Sequence, residues 1–281
     1  QFALEFNYDL SGPGLWAFNG GPWGNHNYHA YAYDPAATRM VYNKNVTLLY
    51  DPATQSWPAD ERIKDVPFYP SKYITYAVST PDGVVVWANK EGRWHGPRGV
   101  YRLVDGKRWV ELKTSGDPLP RPITDGSTIT YDGNRNQLLL TTSGKDKTLA
   151  GQVWSVDLKS GAVKTLDPAG RDKLAMSRFA RESAYVAHAD LVLIGFNLSV
   201  DGKIVMPFYD PDANAWLTAE LPGSDFITKR GKAGDSVDLG LAYDAKRKLV
   251  WGVLCNLGKD NSLQVLKVDR ASLKLTPLAG E

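Results

Sequence analysis

One cysteine, three methionines and four histidines stand in 281 residues. The single Cys255 excludes an intrachain disulfide, and its place in the apolar run Leu249–Cys255 reads as a buried, inert thiol in a strand. It leaves the compartment open, because an exported protein can do without disulfides. No stretch of about 18 apolar residues occurs, which excludes a membrane-spanning helix. The N-terminus lacks a basic stretch followed by an apolar one, so no signal peptide is evident; the start at Gln1, without Met, leaves room for one already removed. Excess charge of one sign is missing too. Lys and Arg number 33 against 31 Asp and Glu, and the net +2 supplies no strong field for nucleic acid or an anionic membrane. No P-loop, Rossmann fingerprint, zinc-ligand spacing or Ser/His/Asp motif is found.

What is present is an aromatic, turn-rich chain, with nine Trp, 14 Tyr, 26 Gly and 17 Pro. A pattern of an apolar residue, an Asp, a short turn and an aromatic or aliphatic residue recurs. It reads Tyr50-Asp51-Pro52-Ala53-Thr54-Gln55-Ser56-Trp57, and returns around Asp105, Asp157, Asp210 and Asp269 at steps of 54, 52, 53 and 59 residues. A second pattern alternates with it: Tyr33-Asp34-Pro35-Ala36-Ala37-Thr38, then Tyr131-Asp132 and Tyr243-Asp244, with weaker copies at Asp82 and Asp190. Side chains of Asp accept from backbone N–H groups two residues on, Pro presets φ, and Gly or Asn tolerates positive φ, so both patterns predict tight hairpin turns. Between them lie short runs rich in Val, Tyr, Trp and Leu, and no helical period. Each period of about 50 residues therefore predicts two hairpins and four strands. A β-sandwich would explain strands and turns but not two signatures alternating five times.

The stretch from Asn27 to Trp57 resembles a kelch repeat of the galactose-oxidase-like propeller type. It has a His-Ala-x-x-Tyr-Asp first strand, an apolar second strand, a Tyr-Asp-Pro-x-Thr-x-x-Trp third strand, and a fourth beginning at Trp57. The paired glycines usual at the end of the second strand are replaced by Asn43-Lys44, Ala88-Asn89, Ser143-Gly144 and Gly195-Phe196, so the resemblance is to a divergent kelch-like family. It implies an all-β protein: one β-propeller domain over residues 1–281. Five complete four-stranded blades are expected, the last finishing near Leu275–Leu278, with half a blade at Phe6–Trp16 and six or seven blades in the whole ring.

Propellers bind ligands where the loops entering the innermost strands converge. Here those loops carry His26, His29, Lys72, Asp125, Arg181, Glu182 and Asp238, a mixed-charge cluster expected on one face, to bind a ligand or to satisfy itself and ordered water. His26, Tyr28 and His29 form the densest group of potential metal ligands, but the Cys and His complement of a copper-radical oxidase is missing, and neither metal nor cofactor is expected. Asp125, Glu182 and Asp238 could serve as glycosidase carboxylates only at defined separations. The aromatic, basic segment Trp87–Arg98 fits a stacking surface for sugars or bases, or more simply a hairpin loop covering its own blade. The triplets at Asn45 and Asn197 would be glycosylation acceptors only in a eukaryotic secretory protein. The expected function is binding of a protein or carbohydrate, by an extracellular or periplasmic module of a larger protein. A polysaccharide hydrolase or lyase is the alternative.

Overall fold

The computed structural model describes residues 30–44, 46–54, 56–58, 60–70, 74–92, 96–122, 127–142, 151–174, 182–195, 198–200, 203–220, 238–255 and 262–278. Its only helical element among them is a single 3-10 turn at Arg171–Lys173; the regular structure is otherwise strand. Five antiparallel-built sheets follow one another along the chain, and the fold is a five-bladed β-propeller. The expected half blade at Phe6–Trp16 lies outside the described residues.

The chain forms two compact units, Gln1–Thr124 with Leu158–Val163, and Asp125–Asp157 with Lys164–Glu281. In the first unit, β1 (Tyr31–Asp34), β2 (Arg39–Lys44) and β3 (Val46–Tyr50) form one sheet. Then β4 (Tyr76–Thr80), β5 (Gly83–Asn89), β6 (Arg98–Val104) and β7 (Arg108–Leu112) form a second, in chain order. All seven residues of β5 are buried, whereas in β7 only Trp109 is buried, with Val110 and Glu111 exposed. A strand covered on both faces must be apolar throughout, and an outer strand only on alternate residues. The core of this unit fills the space between the two sheets, with Val41 and Leu49 against Val84, Val86, Tyr101 and Trp109.

The third sheet has the order β8 (Ser115–Gly116), β12 (Ala162–Leu166), β11 (Val153–Asp157), β10 (Gln137–Thr142), β9 (Ser127–Asp132). In the second unit, the fourth is built on β13 (Ser183–Val186), β14 (Leu191–Ile194), β16 (Lys203–Asp210) and β17 (Ala215–Ala219), with β15 (Leu198–Val200) beside β16. The fifth is β18 (Asp238–Asp244), β19 (Leu249–Cys255) and β20 (Ser262–Leu266). One apolar cluster packs Leu139 and Val153 against Tyr185, Val192 and Trp216. Another packs Leu191, Leu193 and Phe208 against Val250, Leu266 and Val268. Within each unit the cores thus lie between successive sheets, as stacking of blades requires. Within the second unit β9, β13 and β18 are neighbours in that order, and within the first β1 neighbours β4.

Two outer strands differ from expectation. The predicted fourth strand at Trp57 is reduced to a single bridge, Asp51 to Ser56, and Thr47 pairs with Ile63 instead. Pro58 follows Trp57 and has no N–H to extend a ladder. The segment near Leu275–Leu278 leaves its own sheet. As β21 (Thr276–Pro277) it pairs antiparallel with β17, and Leu278 N–H donates to the Trp216 carbonyl at 3.0 Å. The wide turn closed by Leu273 N–H on the Asp269 carbonyl redirects the chain, and an outermost position tolerates Pro277.

Candidate functional site

The hairpin turns of the second unit share one construction. Asp132 Oδ1 accepts from the N–H groups of Asn134 and Arg135, at 3.1 and 3.2 Å. Asp210 does the same for Asp212 and Ala213, and Asp244 for Arg247. Four residues after each of these Asp residues the backbone turns left-handed, at Asn136 (φ 50), Asn214 (φ 47) and Lys248 (φ 55). Asparagine bears this conformation well, and Asn136 and Asn214 are further held by Tyr131 and Tyr209, whose hydroxyls donate to their Oδ1 atoms.

The β13–β14 turn corrects the sequence alignment. Val186 pairs with Leu191, so Val186 occupies the place of Asp132, and Asp190, with φ 49, occupies the place of Asn136. Asp190 is displaced by four residues from the series into which the spacing put it. Its carboxylate is thereby free of its own turn and available to other residues.

Arg135 uses it. The guanidinium donates to Asp190 Oδ1 and Oδ2 at 2.8 and 2.7 Å, to Asp132 Oδ2 at 3.1 Å and to Asp212 Oδ1 at 2.5 Å. These carboxylates come from the turns after β9, β13 and β16. Asn134 Nδ2 adds contacts to the Ala187 carbonyl and Asp190. From the turn after β20, Arg270 donates to Asp210 Oδ2 at 2.9 Å and to the carbonyls of Ala189 and Asp190. Tyr185 closes the group, its hydroxyl 2.6 Å from Asp190 Oδ1. The Arg135 hydrogen bonds hold the Asp190 carboxyl down at about 2, against the opposing effect of burial. Burial, reinforced by the bond to Asp190, pushes the Tyr185 phenol above its ordinary range. Each acid accepts from a guanidinium, two guanidinium groups serving four carboxylates, so the cluster fastens sheets together.

The opposite ends of the same strands are where the sequence puts its candidate ligands. The turns after β9 and β13 touch through Arg135 and Asp190. The turn after β13 meets the end of β18 through His188 Nδ1 and the Tyr243 hydroxyl, 2.9 Å apart with the rings stacked. The three first strands therefore run in one direction, with their entry ends together, away from the clamp. Glu182 immediately precedes β13, is half-buried, and its carbonyl accepts from Gly195 N–H at 2.8 Å. Asp238 begins β18, opposite Cys255 in register. Counted back from the turns, Glu182 is level with Thr128 and Asp238 stands two residues further out. The other five, His26, His29, Lys72, Asp125 and Arg181, lie outside the described residues, as does Tyr28. So does the Cys255 side chain; its backbone ends β19. Between β9, β10 and β13 runs a hydroxyl-lined seam: Thr128 to Thr141 at 2.6 Å, and Thr130 to Ser183 at 2.5 Å.

Trp87 is no stacking platform. It is fully buried, donates Nε1–H to the Pro120 carbonyl at 3.1 Å, and belongs to the β5–β6 hairpin, whose loop is closed by Lys90 N–H on the Pro97 carbonyl. No three His, Cys, Asp or Glu side chains among the described residues are placed to hold a metal ion. No helix among them is long and apolar enough to cross a membrane. Arg135 and Arg270 were not foreseen as cluster members. The signal lay in Asp132-x-x-Arg135, a spacing repeated at Asp244-x-x-Arg247, where the pair at 2.7 Å stays within one turn.

By fold the chain belongs among the five-bladed β-propellers. It matches no protein-family model and none of the curated proteins.

Proposed function

We propose that the protein is a recognition module whose ligand, a protein or a carbohydrate, is held by the loops that enter the first strands. His26, His29, Lys72, Asp125, Arg181, Glu182 and Asp238 are the residues that read it. The observation that carries this reading is the division of labour along β9, β13 and β18. The turn ends spend their charges on one another, while Glu182 and Asp238 stand at the entry ends of adjacent strands. A mixed set of acids, bases and imidazoles suits a polyhydroxylated or peptidic ligand and needs no cofactor. The kelch-like, galactose-oxidase-type character of the repeats, with the aromatic-rich composition, favours an exported module, extracellular or periplasmic, joined to other domains of the same protein.

The test is a binding screen of the purified protein against arrayed oligosaccharides and a panel of secreted proteins. Asp125→Ala, Glu182→Ala and Asp238→Ala should each weaken the retained ligand by about tenfold or more with the melting temperature unchanged. Unaltered affinity in all three sinks the reading. Cleavage of a bound oligosaccharide, abolished by the same substitutions, would make the protein a hydrolase or lyase instead.

A further inference from the structure

We propose that the Arg135 clamp is an acid-releasable fastener that makes the third, fourth and fifth sheets one cooperative block and lets the fourth loosen when Asp190 takes up a proton. The inference is independent of the ligand reading, because it concerns the other end of the strands. Its basis is geometric. One guanidinium, about a quarter exposed, is the shared partner of three carboxylates from three turns: Asp132 (fully buried), Asp190 and the exposed Asp212. On the far side of the fourth sheet Arg270 pairs with the nearly buried Asp210 at 2.9 Å. Each bond crosses from one sheet to the next, except those of Asp132, and each has an ionised acceptor or a carbonyl.

The groups facing the clamp are few. Tyr185 approaches Asp190 from β13, and Tyr209, on β16, lies close enough for Arg135 to influence its phenol. Both phenols are neutral throughout the acid range. His188, on the same turn as Asp190, turns to Tyr243. Carboxylate protonation is thus the event that changes the net charge around Arg135. When Asp190 becomes a neutral acid, its charge is lost to Arg135 and one of its two oxygens becomes a donor, which leaves Asp132 and Asp212 to hold the cation. A carboxyl held below its ordinary value stabilises the fold fully above pH about 4, and that contribution fades as pH falls toward about 2. No equivalent clamp is found among the described residues of the first unit. Its ion pairs, Arg39–Glu61, Lys90–Glu111 and Arg102–Asp82, all involve partly exposed side chains.

Hydrogen exchange followed by mass spectrometry on the full chain, corrected for intrinsic rates, tests this between pH 5 and pH 2.5. Protection in β13, β14, β16 and β17 should fall by about tenfold or more over the window. Protection in β4–β7 should hold. In Arg135→Ala the fourth-sheet protection should already be low at pH 5 and change little on acidification. Should that variant fail to fold, Asp190→Asn combined with Asp212→Asn provides the same flat profile while keeping the shape of the acceptors. An unchanged acid response in the variant, or loss of β4–β7 protection together with or before the fourth sheet, overturns the proposal.

Discussion

Across the gap between the first two sheets, Trp109 of β7 points its indole N–H at Thr47 of β3, 2.7 Å away, and the same Thr47 hydroxyl donates to Asn43. Across the gap between the third and fourth, Trp216 of β17 does the equivalent, donating to the Gly151 carbonyl just before β11 at 2.7 Å. An outer-strand tryptophan reaching back to the start of the preceding sheet's third strand is therefore common to both units. What the second unit adds is charge, through Arg135 and Arg270. The difference shows two ways of solving one problem, since stacked sheets share apolar side chains that set spacing but not register. An indole N–H is a directional fastener that works at any pH. A guanidinium among carboxylates is stronger bond for bond but conditional on ionisation.

Three substitutions probe that contrast. Trp216→Ala removes a fully buried indole from the cluster around Tyr209 and Leu139, and should cost about 3–5 kcal/mol in chemical denaturation. A loss below about 1 kcal/mol would mean that the charged clamp carries the second unit by itself. Trp109→Phe keeps the ring against Phe68 but deletes the bond to Thr47. It should cost about 1 kcal/mol, equally at pH 7 and pH 4; a pH-dependent loss would break the distinction between the two fasteners. Smallest is Asp82→Asn, at a hairpin tip whose exposed carboxylate stands 4.0 Å from Arg102. The melting midpoint should shift by no more than about 0.5 kcal/mol in equivalent stability, and a larger effect would show that the first unit also depends on charge.

Sequence reasoning reached the turns because their chemistry is local. An Asp followed four residues later by Asn, Thr or Gly is legible without knowing any partner. It stumbled where the local signal was ambiguous. Asp190 resembles the other turn acids in kind, yet only the pairing of Val186 with Leu191 reveals that it sits at the end of its turn rather than the beginning. It also stumbled on outer strands. Neither the two residues of β8 nor those of β21 has a periodicity to detect, and Trp57 promised a strand that Pro58 prevents. The clamp was out of reach for a different reason. Arg135, Asp190 and Asp212 are separated by 55 and 22 residues, and nothing in a single sequence couples them. At the entry ends, Glu182 and Asp238 were placed by counting from the turns, and the pairings set them two residues apart in level along their strands.

The short strands β8 and β21 also bear on self-association in a crowded solution. An outer strand presents a row of open N–H and C=O groups, a template on which another chain can polymerise. Ser115–Gly116 lies parallel along β12, and Thr276–Pro277 antiparallel along β17, so each template is blunted by a dipeptide. In the second case the blunting residue is a proline, which cannot hand the ladder on to a further neighbour. Gly116, at φ 92, sits so close to Val163 that a Cβ there would come within 2.5 Å of the Val163 carbonyl oxygen. Any side chain at that position would pry the dipeptide from its strand, and the damage would surface first as self-association, before any loss of the fold beneath.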